Sequence, residues 1–328
     1  MKEILNHLLA YKTLSKKEAR QVLVDIAQGK YTAVQIAAFM TVYMMRSVTV
    51  EELEGFRDAM LELCVALDVA DFDPMDVCGT GGDGKDTFNI STLSAFVIAG
   101  AGQAVVKHGN YGVSSICGSS TVMEYLGYKF TNDKGLINKS LEEANICFLH
   151  APLFHPAMKN VAPVRKELGV KTFFNMLGPM VNPAFPKKQM VGVYSLEIAR
   201  LYAYLYQRTD KSFSIVHALD GYDEISLTGD FKIIGNQAEK VFSPKDLNLQ
   251  ILQADEILGG NSVEESAKIF MNVLTNEATP AQKQAVLANA AFGLQTAKPE
   301  LTVLEAVEMA RESLEGGKAL QSFQKLVA

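Results

Sequence analysis

Apolar residues recur at helical spacing through the first 66 residues of the chain. Ile4, Leu5, Leu8 and Leu9 share one face of a helix that begins at Lys2. Three further starts place Ser or Thr three positions before Glu or Gln, a pattern in which side chain and backbone cap each other. They are Ser15 with Glu18, Thr32 with Gln35 and Thr49 with Glu52. Gly29 stands where a helix stop is expected. The segment contains no strand pattern, so it reads as four helices and nothing else.

The pattern changes at Asp71-Phe-Asp-Pro74. From there short apolar runs alternate with Gly-rich turns and helical stretches, as a βαβ succession requires. Residues 75–78, 104–106, 146–149, 190–194 and 213–218 are expected strands. Residues 92–99, 122–126, 139–143 and 197–207 are expected helices. Toward the C-terminus the capping pattern returns, in Ser262 with Glu265, Thr279 with Gln282 and Thr302 with Glu305, and Pro280 sits at a first helical position. Residues 225–260 are the least legible; Leu227-Thr-Gly-Asp230 and Gly259-Gly260 suggest turns around short strands. The expectation is a helical domain over 1–70 and an α/β domain over 71–328.

Composition narrows the class without deciding it. With 48% hydrophobic and 21% charged residues the 328-residue chain suits a soluble globular protein. Its longest apolar run, 95–106, is too short to cross a bilayer, and Met1-Lys2-Glu3 leads straight into an amphipathic helix rather than a signal peptide. No membrane role and a cytoplasmic location are therefore expected. Cys64, Cys78, Cys117 and Cys147 form no CxxC pair or zinc spacing, which favours reduced thiols. A net charge of −6 argues against a nucleic-acid partner, yet leaves room for a small anion at helix N-termini.

Three loops suit an anion. Cys78-Gly-Thr-Gly-Gly-Asp-Gly84 follows an expected strand, and its glycines let backbone N–H groups approach a phosphate. Asn89-Ile-Ser-Thr92 comes next, with Ser91 or Thr92 placed to cap the following helix. Lys107-His-Gly-Asn110 falls at the carboxyl end of another strand, the edge where open α/β sheets bind ligands. Ser114-Ser-Ile-Cys-Gly-Ser-Ser120 supplies hydroxyls ahead of a helix. Each loop taken singly also fits a turn or cap with no ligand; three within about 45 residues point to one polyanion.

Asp220-Gly-Tyr-Asp-Glu224 closes a further strand with clustered carboxylates. They either form a solvated acidic turn or share a cation, and Mg²⁺ prefers one or two carboxylates completed by water and substrate phosphates. Arg165 can pair with a carboxylate or sit in solvent. His108 is either structural or a candidate proton carrier. No Ser/His/Asp elbow, metalloprotease helix, Walker lysine or GxGxxG signature is present.

Together these motifs resemble the anthranilate phosphoribosyltransferases of tryptophan biosynthesis. The matching stretches are CGTGGDG (78–84), NIST (89–92), KHGNYGVSS (107–115), GS (118–119), HPAMKNVAPVRKELG (155–169), FNMLGP (174–179), NPA (182–184) and DGYDE (220–224), about 150 residues in the family's order. The resemblance implies a small helical domain, including helices near 160–185 that make a homodimer contact, and a larger domain with a mostly parallel sheet. It also implies transfer of phosphoribose from 5-phosphoribosyl 1-pyrophosphate (PRPP) to the amine of anthranilate.

By the same resemblance, PRPP would lie on Gly79, Gly82, Asp83, Thr87, Asn89, Ile90, Ser91, Thr92 and the run Lys107, His108, Gly109, Asn110, Tyr111, Gly112, Val113, Ser114 and Ser115, with Ser119. Ser91, Asp223 and Glu224 would hold Mg²⁺; Gly79, Asn110 and Arg165 would face anthranilate. Lys107 and Arg165 are the candidate catalytic side chains, with His108 the one candidate base. Where the family has Gly-Ser-Ala-Asp, this chain has Gly118-Ser-Ser-Thr121. Two other readings remain open: a pyrimidine nucleoside phosphorylase, which shares the KHGN stretch, and a non-catalytic relative that binds nucleic acid.

Overall fold

The computed structural model describes residues 1–112 and 118–328. Four helices open the chain: α1 (Lys2–Leu9), α2 (Lys16–Ala27), α3 (Ala33–Met45) and α4 (Val50–Glu62). The capping boxes at Ser15, Thr32 and Thr49 all form, each hydroxyl accepting from the backbone N–H three residues on. Glu52 does more than cap. It is fully buried, and its carboxylate also accepts from Arg46, the Tyr43 hydroxyl and the Leu14 N–H.

Strands and helices then alternate: β1 (Met75–Gly79), α5 (Ile90–Gly100), β2 (Val105–Gly109), α6 (Ser119–Tyr125), α7 (Lys134–Ala144) and β3 (Ile146–His150). A helical stretch follows, with α8 (Ala151–Phe154), α9 (Ala162–Leu168) and α10 (Phe174–Leu177). The chain then returns to β4 (Lys188–Gly192), α11 (Leu196–Tyr206) and β5 (Ser212–Ala218). It finishes with β6 (Phe231–Gly235), β7 (Glu239–Phe242), α12 (Val263–Leu274), α13 (Pro280–Ala297), α14 (Val303–Glu315) and α15 (Lys318–Val327).

Two compact units result. One joins Met1–Leu67 to Ala151–Phe185; the other joins Asp68–His150 to Pro186–Ala328. In the helical unit Phe39, Tyr43, Phe56 and Phe173 pack ring against ring, so the later segment shares the core of the first four helices. Burying each such ring stabilises by about 1.5–3 kcal/mol.

The α/β unit holds one seven-stranded sheet in the order β3-β2-β1-β4-β5-β6-β7. The first five of these are parallel, and β6 and β7 run antiparallel to their neighbours. All five parallel strands therefore end at one edge. Helix α5 packs against the sheet and against α13 and α15, which explains why it is apolar on every face rather than along one stripe. Among the described residues no helix is long and apolar enough to cross a membrane.

Some readings of the sequence change in detail, and one helix is added. β2 continues through Lys107, His108 and Gly109, so these residues lie in the strand rather than after it. Ser262 caps α12, but Glu265 turns to the Asn261 N–H instead of closing a box. Helix α15 starts from Gly317 with no side-chain cap, so no capping pattern announces it.

Candidate active site

The site forms where β1, β4 and β5 end side by side. β5 stops at Ala218, Gly221 takes a φ of +97° that turns the chain, and Asp223 is carried back across the ends of β1 and β4. Gly79 and Gly192 are register partners on those two strands. A Cβ at Gly79 would stand 2.4 Å from Asp223 Oδ2, and one at Gly192 only 1.5 Å from the Asp223 carbonyl oxygen. The paired glycines are thus the slot in which the acidic segment lies.

From that slot the carboxylates reach the glycine loop. Gly81 donates its N–H to Asp223 Oδ2 at 2.6 Å, and Ser91 donates its N–H to Glu224 Oε1 at 2.8 Å. The Thr87 hydroxyl donates to Glu224 Oε2 at 3.3 Å. Ser91 lies in the first turn of α5, whose unsatisfied N–H groups and positive dipole end favour a negative charge. The 79–92 turn and the twin acids therefore converge on one place.

Their charge is costly there. Burial, Glu224 and Asp83 together hold the Asp223 carboxyl well above its ordinary range. Burial pushes Glu224 up to about 7, against the pull of the Ser91 N–H. Lys107 is the nearest relief. Its ammonium is buried, donates to the Val77 carbonyl at 2.6 Å and to Ser91 Oγ at 3.4 Å, and feels Cys78, Asp76, Glu224 and Asp223. Burial still lowers its pKa. A solvated lysine reaching for phosphate is not what the fold presents; Lys107 is a counter-charge beneath the acids. Two carboxylates, a serine hydroxyl and incomplete charge balance make a donor set that suits Mg²⁺ completed by phosphates and water.

The remaining predicted residues fall as follows. Asn89, rather than Ser91 or Thr92, occupies the cap position of α5, because the helix begins earlier than the sequence suggests, at Ile90. Ile90 is a core side chain whose N–H is already given to the Phe88 carbonyl, so neither group is offered to a ligand. The Thr92 hydroxyl is buried and has no hydrogen-bond partner among the described residues. Gly82 is buried, and Asp83 accepts from the Lys85 N–H at 3.1 Å. His108 is buried within β2, its N–H donated to Asp76 Oδ1 at 3.2 Å.

At the mouth of β2, Gly109 faces Ser119, while Asn110, Tyr111 and Gly112 are exposed. Asn110 Oδ1 accepts from the Tyr111 N–H at 2.8 Å. Val113, Ser114 and Ser115 lie outside the described residues. Arg165 belongs to the helical unit, where it donates to Asn175 Oδ1 at 3.2 Å, and its guanidinium lies 5.6 Å from the centre of the Phe174 ring. Asn175 Oδ1 also accepts from the Thr172 N–H, so the turn-rich segment after α9 fixes the arginine.

Two residues that position the acids have no local sequence signal. Gly192 ends an ordinary apolar strand. Asn289 lies inside α13, where its side chain exchanges hydrogen bonds with both the N–H and the carbonyl of Ile225, next to Glu224. Only the tertiary fold brings either to the site. Gly192→Ala is expected to cost about 1–3 kcal/mol and to displace the acids, because the obstructing atom is backbone and cannot rotate away. Thermal melting with a turnover assay checks this; an active, equally stable variant would refute the slot.

Known proteins of similar sequence and structure bear on the whole chain. A family model described as "Glycosyl transferase family, helical bundle domain" matches residues 2–64, and "Glycosyl transferase family, a/b domain" matches 72–320. Anthranilate phosphoribosyltransferase of Christiangramia forsetii is 61% identical over 99% of this chain and 98% of its own. The crystal structure of anthranilate phosphoribosyltransferase from Thermus thermophilus superposes with a TM-score of 0.91 at 33% identity, covering 98% of both chains. The enzyme of that name from Saccharomyces cerevisiae, in complex with PRPP and Mg, gives 0.91 at 26% identity, covering 98% of this chain and 95% of its own. With these matches spanning both units, the chain belongs to the anthranilate phosphoribosyltransferase family.

Proposed function

We propose that this protein transfers the phosphoribosyl group of PRPP to the amine of anthranilate, releasing pyrophosphate, in the second step of tryptophan synthesis from chorismate. The observation that carries the reading is the convergence of Asp223, Glu224, the 79–92 turn and buried Lys107.

The anthranilate amine needs little deprotonation before it attacks, so the barrier lies in breaking the bond from the ribose anomeric carbon to pyrophosphate. Negative charge grows on the departing diphosphate while the sugar becomes cationic. A Mg²⁺ ion held through Asp223, Glu224 and Ser91, when bound, would supply the opposing charge. The chain's own part is to keep those three groups fixed before substrate arrives, which the Gly79–Gly192 slot, the Gly81 and Ser91 N–H groups and Asn289 do. Lys107 acts from below as a charge partner of the acids. Gly79, Gly82, Asp83, Thr87, Asn89, Thr92, His108, Ser119 and the segment Gly109 to Gly112 line the PRPP side. Ile90 takes part only as a support.

Asn110 and Arg165 take the acceptor, with Arg165 on its carboxylate, and orientation by such contacts supplies several kcal/mol of rate enhancement. No side chain is assigned as an obligatory base. The working unit is a homodimer in the cytoplasm.

Arg165→Ala should raise the KM for anthranilate about 10- to 100-fold, and that for PRPP by far less. Equal changes in both would count against the assignment. The activity itself is checked by the fluorescence of anthranilate. With no Trp in the chain, that signal can be followed on adding PRPP and Mg²⁺. A steady loss supports the transferase. An unchanged signal together with phosphorolysis of thymidine or uridine would replace it with a nucleoside phosphorylase.

A further inference from the structure

His150 does not belong to the acidic site, yet it is buried at the carboxyl end of β3, on the same edge of the sheet. Its ring stacks on Phe130 with centroids 4.6 Å apart and meets the edge of Tyr111 at 4.8 Å. Nδ1 stands 3.0 Å from the Ser120 hydroxyl. Tyr111 and Ser120 flank the two ends of the stretch that leaves β2 and enters α6.

Those two ends are pressed together. A Cβ at Gly118 would fall 2.0 Å from the Gly112 nitrogen and 2.8 Å from the Tyr111 carbonyl carbon, and one at Gly109 would fall 3.0 Å from Ser119 Oγ. The Tyr111 hydroxyl also donates to Glu124 of α6 at 2.9 Å. Close backbone approach needs something to hold it, and the His150 ring, coming from a third element, touches both ends. Burial lowers its pKa, so the ring stays neutral and able to share a proton with Ser120.

We infer that His150 is a positioning residue, pinning Tyr111 and Ser120 so that Gly109 and Ser119 face the diphosphate of PRPP together. The inference rests on the transferase reading above. The ring contact with Tyr111 and the hydrogen bond to Ser120 act jointly, so losing either lets the two ends separate.

The test compares wild type with His150→Phe, which keeps a ring but loses Nδ1, with Ser120→Ala, and with the double variant. Each single change is expected to raise the KM for PRPP about tenfold, the worth of one buried hydrogen bond, with kcat and the KM for anthranilate within about twofold. The double variant should be no worse than His150→Phe, since both remove one shared contact. His150→Asn keeps a polar atom near Nδ1 but gives up the ring contact with Tyr111, so it too should raise the KM for PRPP. If His150→Phe does not fold, Ser120→Ala and His150→Asn give the same comparison. An unchanged PRPP KM in Ser120→Ala, or equal rises for both substrates, overturns the inference. A wild-type chain with no PRPP-dependent turnover of anthranilate overturns the transferase reading, and the inference with it.

Discussion

Glu224→Gln is expected to lower turnover on the order of 10³-fold without destabilising the metal-free protein. Glutamine keeps the shape and can still accept the Ser91 N–H, but it removes the charge that would hold a cation against the diphosphate. The stability effect follows from Glu224's raised pKa, about 7 against an ordinary 4.5. The folded protein holds this proton more tightly than the unfolded chain does. Its stabilising contribution is therefore fully present below pH 4.5 and is lost as the pH rises to about 7, amounting to at most about 3 kcal/mol. Melting midpoints of the wild-type protein without metal should fall across that window more steeply than those of Glu224→Gln. A variant that loses its activity and also melts lower at about pH 8 would mean that the acid is a structural partner rather than a stored charge.

Lys107→Met is the second large effect. A buried ammonium that donates to the Val77 carbonyl and lies among Asp76, Asp223 and Glu224 cannot be removed cheaply. Its loss should cost about 3–5 kcal/mol of unfolding free energy and most of the activity. Lys107→Arg should not restore either, because a planar guanidinium does not fit where a compact ammonium does. Denaturant unfolding of both variants checks the prediction. Wild-type stability with only a raised PRPP KM would instead make Lys107 a phosphate hand reaching out of the sheet.

What could be read from the chain alone divides along physical lines. Helix starts were legible because capping is local: Ser15, Thr49 and Thr302 each find their partner three residues away. The acidic pair and the glycine loop were legible as chemistry only in company. Each alone also fits a solvated turn or a cap, whereas several anion-suited loops beside clustered carboxylates point to one ligand. The burial of Lys107 was not legible. A lysine after three apolar residues reads as a strand end, and only the neighbouring strand's carbonyl and the acids from β5's far end show why the strand can continue through it. Gly192 and Asn289 were invisible for a related reason, as their partners lie 31 and 64 positions away and meet them through the order of strands. Strands β6 and β7 were blurred by short exposed segments such as Glu239–Phe242, which carry little apolar alternation.

The direct test is calorimetric titration of PRPP into the wild-type protein and into Glu224→Gln, each with Mg²⁺ and with a chelator. If the acids and the glycine-lined turn grip the diphosphate through a shared cation, wild type binds at least about tenfold more tightly with Mg²⁺, and Glu224→Gln shows little or no difference. Equal metal dependence in the two proteins would contradict it.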